Sequence, residues 1–146
     1  MPNQMICYFA YGSNMSKEQM TNRGVSVHTT IRCDLSGYRF LYNKKSIDGS
    51  SKANIRKDEE SVVHGVCFSV DPESFEKLRK FEKGYDIVQI TVSDLEMNLI
   101  QAETFIYDNI SNEEPSEGYV DTIVKAAKEH KLPKGYKKKH TFKVNQ

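Results

Sequence analysis

The chain's 146 residues match the length of one ordinary domain, and 38% hydrophobic content suffices for a single core. With 21 Lys and Arg against 20 Asp and Glu, no global charge argument favours nucleic acid or an anionic membrane. No apolar run approaches the ~20 residues of a membrane span, so none is expected.

The first apolar run, Met5 to Ala10, is rich in β-forming residues and reads as a strand that Tyr11-Gly12-Ser13-Asn14 breaks. Asn14 or Ser16 is placed to cap a short helix through Met20, ended near Gly24. Val25 to Ile31 and Gly37 to Tyr42 read as strands. Lys44 to Ser51 reads as a loop, Lys52 to Arg56 as a short strand and Lys57 to Glu60 as a charged turn. Val62 to Val70 is apolar and β-branched, and is predicted to be a central strand. Asp71-Pro72 places a cap and a first-turn proline at the start of a helix that runs to about Lys83, where Gly84 stops it. Tyr85 to Val92 and Gln101 to Tyr107 are two further strands. Ser116 caps a last helix through Lys131, and Pro133 ends it. Gly135 to Gln146 is a basic tail with a late strand at Thr141 to Val144. Residues 1–146 therefore read as a single domain of α+β class, a small mixed β-barrel with flanking helices.

The three cysteines, Cys7, Cys33 and Cys67, fit no metal spacing. An odd number without a secretory leader predicts reduced thiols in a cytoplasmic protein. Cys7 reads as a small buried hydrophobe. His28, His64, His130 and His140 do not cluster as metal ligands, so no metal is expected. The run Lys137 to Lys139 reads as a solvated tail.

Three features can carry chemistry. The strand-to-helix turn at Gly12-Ser13 exposes backbone N–H groups suited to carboxylate or carbonyl oxygens, although such a turn also serves as plain connection. Glu82 follows Leu78 by four residues and Phe75 by seven, which puts it on or beside the apolar stripe of Phe75, Leu78 and Phe81. Burial and the nearby helix C-terminus both raise a carboxylate's pKa, as a proton-transfer group near neutral pH requires. The alternative is a Glu whose stem covers the core edge while its carboxylate reaches water, Arg79 or Lys80. Tyr119 shares a face with Ile123, Ala126, Ala127 and His130, either aiming its hydroxyl into a pocket or packing as a rim aromatic.

These features fall in a familiar order. Tyr8-Phe9-Ala10-Tyr11-Gly12-Ser13-Asn14 is followed by Gly65-Val66, Phe81-Glu82 before Gly84-Tyr85, Pro115-Ser116-x-x-Tyr119 and Leu132-Pro133-x-x-Tyr136. The set resembles the γ-glutamylcyclotransferase family, with its wider AIG2-like superfamily, over nearly the whole chain. Some relatives act on glutathione or on γ-glutamyl-lysine-type amines. The Asn14 form of the turn resembles the branch acting on free γ-glutamyl amino acids. The run from Leu78 to Gly84 is more basic than the family's usual pattern.

The resemblance implies a cofactor-free enzyme that releases 5-oxoproline by intramolecular aminolysis, of lyase or acyltransferase type. It implies Glu82 as the catalytic base and acid. It implies a γ-glutamyl substrate held by Tyr8, Phe9, Ala10, Tyr11, Gly12, Ser13 and Asn14 with Tyr119. Balanced charge and the lack of a long apolar run predict no nucleic-acid or membrane partner, and the sequence does not decide whether the chain forms a homodimer. A binding or regulatory module of the same fold that has lost the chemistry is the alternative, and Glu82 is the residue that speaks against it.

Overall fold

A computed structural model describes residues 4–108 and 110–133. The expected late strand at Thr141, the Lys137 to Lys139 run, His140 and the Tyr136 motif lie outside them. Five strands close into a barrel in the order β1-β3-β2-β4-β5: β1 (Ile6–Ala10), β2 (Val27–Lys45), β3 (Ser51–Val70), β4 (Asp86–Asp94) and β5 (Leu99–Ile106). Three helices flank it: α1 (Lys17–Asn22), α2 (Pro72–Phe81) and α3 (Glu117–Glu129). Every recorded pairing is antiparallel except β1 with β5, which meet in parallel at Tyr8↔Glu103. The expected mixed barrel with outer helices is what forms.

One long hairpin is the barrel's spine, and here the sequence-based expectation needs correction. The two strands expected between Val25 and Tyr42 are continuous, as are the two on either side of Lys57 to Glu60. The charged segment is no turn that separates strands. It is absorbed as an irregularity in the ladder, where pairing shifts from Ser36↔Val62 to Tyr38↔Lys57. Gly37, at φ +87°, supplies the left-handed conformation opposite the extra residues. Asp58 satisfies the loosened backbone by accepting from the Glu60 amide at 3.1 Å.

The apolar pattern of Val62 to Val70 is explained by its place. β3 pairs with β1 on one side and β2 on the other, and Val63, Val66, Phe68 and Val70 are all fully buried. Gly65 lies where β1 crosses closest. A Cβ there would stand 2.3 Å from the Ala10 carbonyl oxygen and 2.9 Å from the Phe9 ring.

Caps set the helix starts as expected. Ser16, Asp71 and Ser116 accept from the amides of Gln19, Ser74 and Tyr119 respectively. α2 is shorter than its pattern suggests: it ends at Phe81, and Glu82 is the C-cap. Phe75 and Leu78 are buried, but Phe81 is 52% exposed and leaves the stripe to lie under the Arg23 guanidinium, 4.7 Å from ring centroid to Cζ. Each of the two buried side chains contributes roughly 1.5–3 kcal/mol of apolar burial. Cys7 is half-buried rather than buried, and Cys33 and Cys67 are buried on the adjoining strands. No described helix is long and apolar enough to cross a membrane.

The approach at Gly65 generates a stability prediction. Gly65→Ala cannot be absorbed by side-chain rotation, because the nearest atom is backbone. Urea denaturation should show a loss of about 1–3 kcal/mol.

Candidate active site

The barrel's end opens into a cavity of about 510 Å³ between the turn after β1, the end of α2, the tip of the β2–β3 hairpin and the start of α3. Its walls include Tyr8, Tyr11, Gly12, Ser13, Asn14, Glu82 and Tyr119. Seven of the nine residues expected from the sequence thus meet at one place. Phe9 and Ala10 do not reach it. Both are fully buried, and their carbonyls serve the frame: Phe9 O accepts from Thr104 Oγ1 at 2.8 Å, and Ala10 O closes on Gly65. Side chains alternate along a strand, and backbone groups in the ladder are consumed by it. A contiguous motif therefore cannot present every member to one cavity.

Gly12 is required by proximity. A Cβ on it would stand 2.9 Å from Ala53 Cβ and 3.6 Å from the Tyr119 hydroxyl. The chain then makes a single 3₁₀ turn, Ser13–Met15, before Ser16 caps α1. That turn drives Asn14 inward until it is 4% exposed.

Asn14 is the junction of the site. Its Nδ2 donates to the Tyr8 hydroxyl at 2.9 Å and to Glu82 Oε1 at 3.3 Å. Its Oδ1 accepts from Arg23 Nη1 at 2.9 Å and Gln19 Nε2 at 3.0 Å. Both halves of the amide are satisfied, and the four partners together dictate which way it points.

Glu82 lies across from it, its side chain 15% exposed. Burial raises its pKa above the ordinary carboxylate value. Arg23 opposes that first, by charge and by a hydrogen bond to Oε2 at 3.3 Å, and Lys44 opposes it by charge. Of the pairing options read from sequence, neither Arg79 nor Lys80 is used: Arg79 pairs with Glu76 at 2.8 Å. The turn after Glu82 is fixed by Gly84, at φ +88°, where an added Cβ would stand 2.7 Å from the Tyr107 ring.

Two tyrosines finish the far wall. The Tyr119 hydroxyl accepts from the Ala53 amide at 3.0 Å, and the Tyr85 hydroxyl donates to the Ala53 carbonyl at 2.6 Å. Burial pushes the Tyr119 pKa up to about 12, so the hydroxyl stays protonated. Tyr8 is likewise pushed up by burial.

Sequence reasoning missed Arg23, Gln19, Lys44, Lys52 and Tyr85 as cavity residues. Ser16-x-x-Gln19 does carry a capping-box spacing. The Gln19 side chain turns away from that role and donates to Ser13 Oγ at 2.9 Å as well as to Asn14. Arg23 carried no local signal, since it reaches Glu82 across 59 positions. The segment Lys44 to Ser51, read from the sequence as a loop, contributes Lys44, Ser46 and Ile47 to the lining.

The balance at Glu82 is testable. Arg23→Gln removes its nearest opposing cation, so the carboxyl pKa, read by ¹³C NMR, should move further upward. A raised folded-state pKa means that the Glu82 contribution to stability is fully present below the unfolded carboxyl pKa, about 4.3. That contribution is lost as pH climbs through the raised value. The melting temperature of Glu82→Gln should therefore improve relative to the native chain over that interval.

The pattern of the AIG2-like family matches residues 62–139. The γ-glutamylcyclotransferase of Mus musculus is 27% identical over 145 residues, an alignment that spans 93% of this chain and 77% of the mouse protein. That of Bos taurus is 28% identical over the same spans. A solved γ-glutamyl cyclotransferase structure superposes with a TM-score of 0.81 over 95% of this chain and 88% of that one, at 24% identity. The family pattern covers the central strand, the α2 helix with Glu82 and the α3 helix with Tyr119, and the chain belongs to the AIG2-like family.

Proposed function

We propose that the protein is a γ-glutamylcyclotransferase that converts a γ-glutamyl amide to 5-oxoproline and a free amine, with Glu82 as the proton-transfer group. The observation that carries the reading is a single buried carboxylate of raised pKa, facing a glycine turn across a cavity that also holds a protonated tyrosine. The relatives named γ-glutamylcyclotransferase support the same class.

The chemistry asks for little more. The substrate's own α-nitrogen attacks its γ-carbonyl, forming the lactam C–N bond, and the bond to the leaving nitrogen breaks. Two protons leave the α-nitrogen and two arrive on the departing amine, which goes as its ammonium, and no water is consumed. Glu82 takes a proton from the first nitrogen and returns it to the second, a role for which a raised pKa is suited. The cavity must hold the chain folded so that the two ends meet. The turn at Gly12 and Ser13 and the Tyr119 hydroxyl stand where they can hold the substrate's oxygens. Arg23 and Asn14 act through Glu82: they fix its direction and limit how far its pKa rises.

Incubation with γ-glutamyl-alanine should release 5-oxoproline. Glu82→Gln should cut kcat by about 10²–10⁴-fold with the fold intact. Undiminished turnover in that variant removes Glu82 from its role. If γ-glutamyl compounds bind but none is consumed, the protein is a binding module instead. Tyr119→Phe also deprives the Ala53 amide of its acceptor, and should lower kcat/KM by about tenfold or more.

A further inference from the structure

The hairpin tip at the cavity mouth breaks a rule of sheet pairing. Lys44 and Lys52 are direct cross-strand partners on β2 and β3. Like charges in that position destabilise a ladder. Both side chains line the cavity, and they are close enough that Lys52 helps lower the Lys44 pKa, after burial. Each is held over tyrosine: Lys52 Nζ stands 4.4 Å from the Tyr119 ring centroid, and Lys44 Nζ stands 4.9 Å from that of Tyr85 and 5.1 Å from that of Tyr107. Lys52 has a partial counter-charge in Asp48 at 3.6 Å. No carboxylate among the described residues pairs with Lys44 within ion-pair distance.

The rest of the charged lining is mostly of the same sign. Arg23, Lys80 and Lys83 also border the cavity, and Glu82 is the one carboxylate among its lining residues. Arg23 is already engaged by Glu82, Asn14 and the Phe81 ring. Lys44 and Lys52 differ from Lys80 and Lys83 in facing each other across the ladder and in lying over tyrosine rings of the cavity wall. Glu82 must hand its proton to the departing nitrogen, so that nitrogen's substituent lies beside Glu82, within the reach of the Lys44 charge.

We infer that Lys44 and Lys52 form a specificity-determining subsite that favours γ-glutamyl compounds whose leaving amine carries an acidic side chain. The inference rests on the cyclotransferase reading of the same cavity. A carboxylate placed between the lysines converts their repulsion into two charge-assisted hydrogen bonds. A neutral alkylamine leaves the repulsion in place, and a lysine-type amine adds a further positive charge to it.

The test compares γ-glutamyl-glutamate, γ-glutamyl-alanine and γ-glutamyl-butylamine. The native protein should rank them in that order in kcat/KM, with about tenfold between steps, carried by KM. The order should flatten at high salt. The double variant Lys44→Gln, Lys52→Gln should compress the ranking toward equality, whereas Lys44→Arg, Lys52→Arg should keep it. A cooperative thermal transition in the Gln variant guards against simple misfolding. A second arm measures binding of the same three compounds to Glu82→Gln by calorimetry and needs no turnover. Equal affinities there, or a ranking that survives the Gln pair, overturn the subsite. Ranked binding with no 5-oxoproline from the native chain overturns the reaction and leaves the subsite standing.

Discussion

The site depends on one buried amide. Asn14 has no charge, yet it holds two groups that do, donating to Glu82 and accepting from Arg23, while it also binds the Tyr8 hydroxyl and Gln19. A buried primary amide with all four neighbours placed can adopt one orientation only. It therefore fixes the distance between the end of α2 and the start of α1, two elements that the chain separates by a long hairpin. A carboxylate in its place would repel Glu82, and an apolar residue would leave buried hydrogen-bonding groups unpaired.

The electrostatics around this junction are a compromise between burial and pairing. Burial alone would favour a neutral Glu82. Arg23 and Lys44 restore part of the stability of its charge, and no cation among the described residues meets it in ideal close geometry. A tight bidentate pair would pull the pKa down and make the group a poor proton carrier. The 3.3 Å contact to Arg23 leaves it between those limits.

The sequence made local choices legible and long-range ones illegible. Helix caps at Ser16, Asp71 and Ser116 could be read because capping is decided within three residues. The inward placement of Glu82 could be read from its spacing to Leu78 and Phe75, even though Phe81 left the stripe that suggested it. The continuity of β2 and β3 could not be read. A charged segment such as Lys57 to Glu60 looks like a break unless one knows that Gly37 faces it and absorbs the mismatch. Phe9 and Ala10 belong to the contiguous motif expected at the cavity, whereas the pleat of β1 and the approach of Gly65 bury them away from it. Arg23 and the hairpin lysines entered only with the fold, since no local pattern marks a partner many tens of residues away.

The hairpin turn at Ser46 to Ser50 supplies one side of the cavity from outside the barrel, and Ile47 at its tip is fully exposed. Glu82 sits on the opposite side, at the end of a helix packed on the core. Loop closure grows only slowly more costly with length, and exposed tips tolerate insertion. The two halves of the pocket can therefore diverge at different rates. Lengthening or recharging this turn would alter which molecules the cavity admits while the network of Asn14, Arg23 and Glu82 stays unchanged, so descendants of one ancestral barrel could take up new ligands without ever rebuilding the opposite wall.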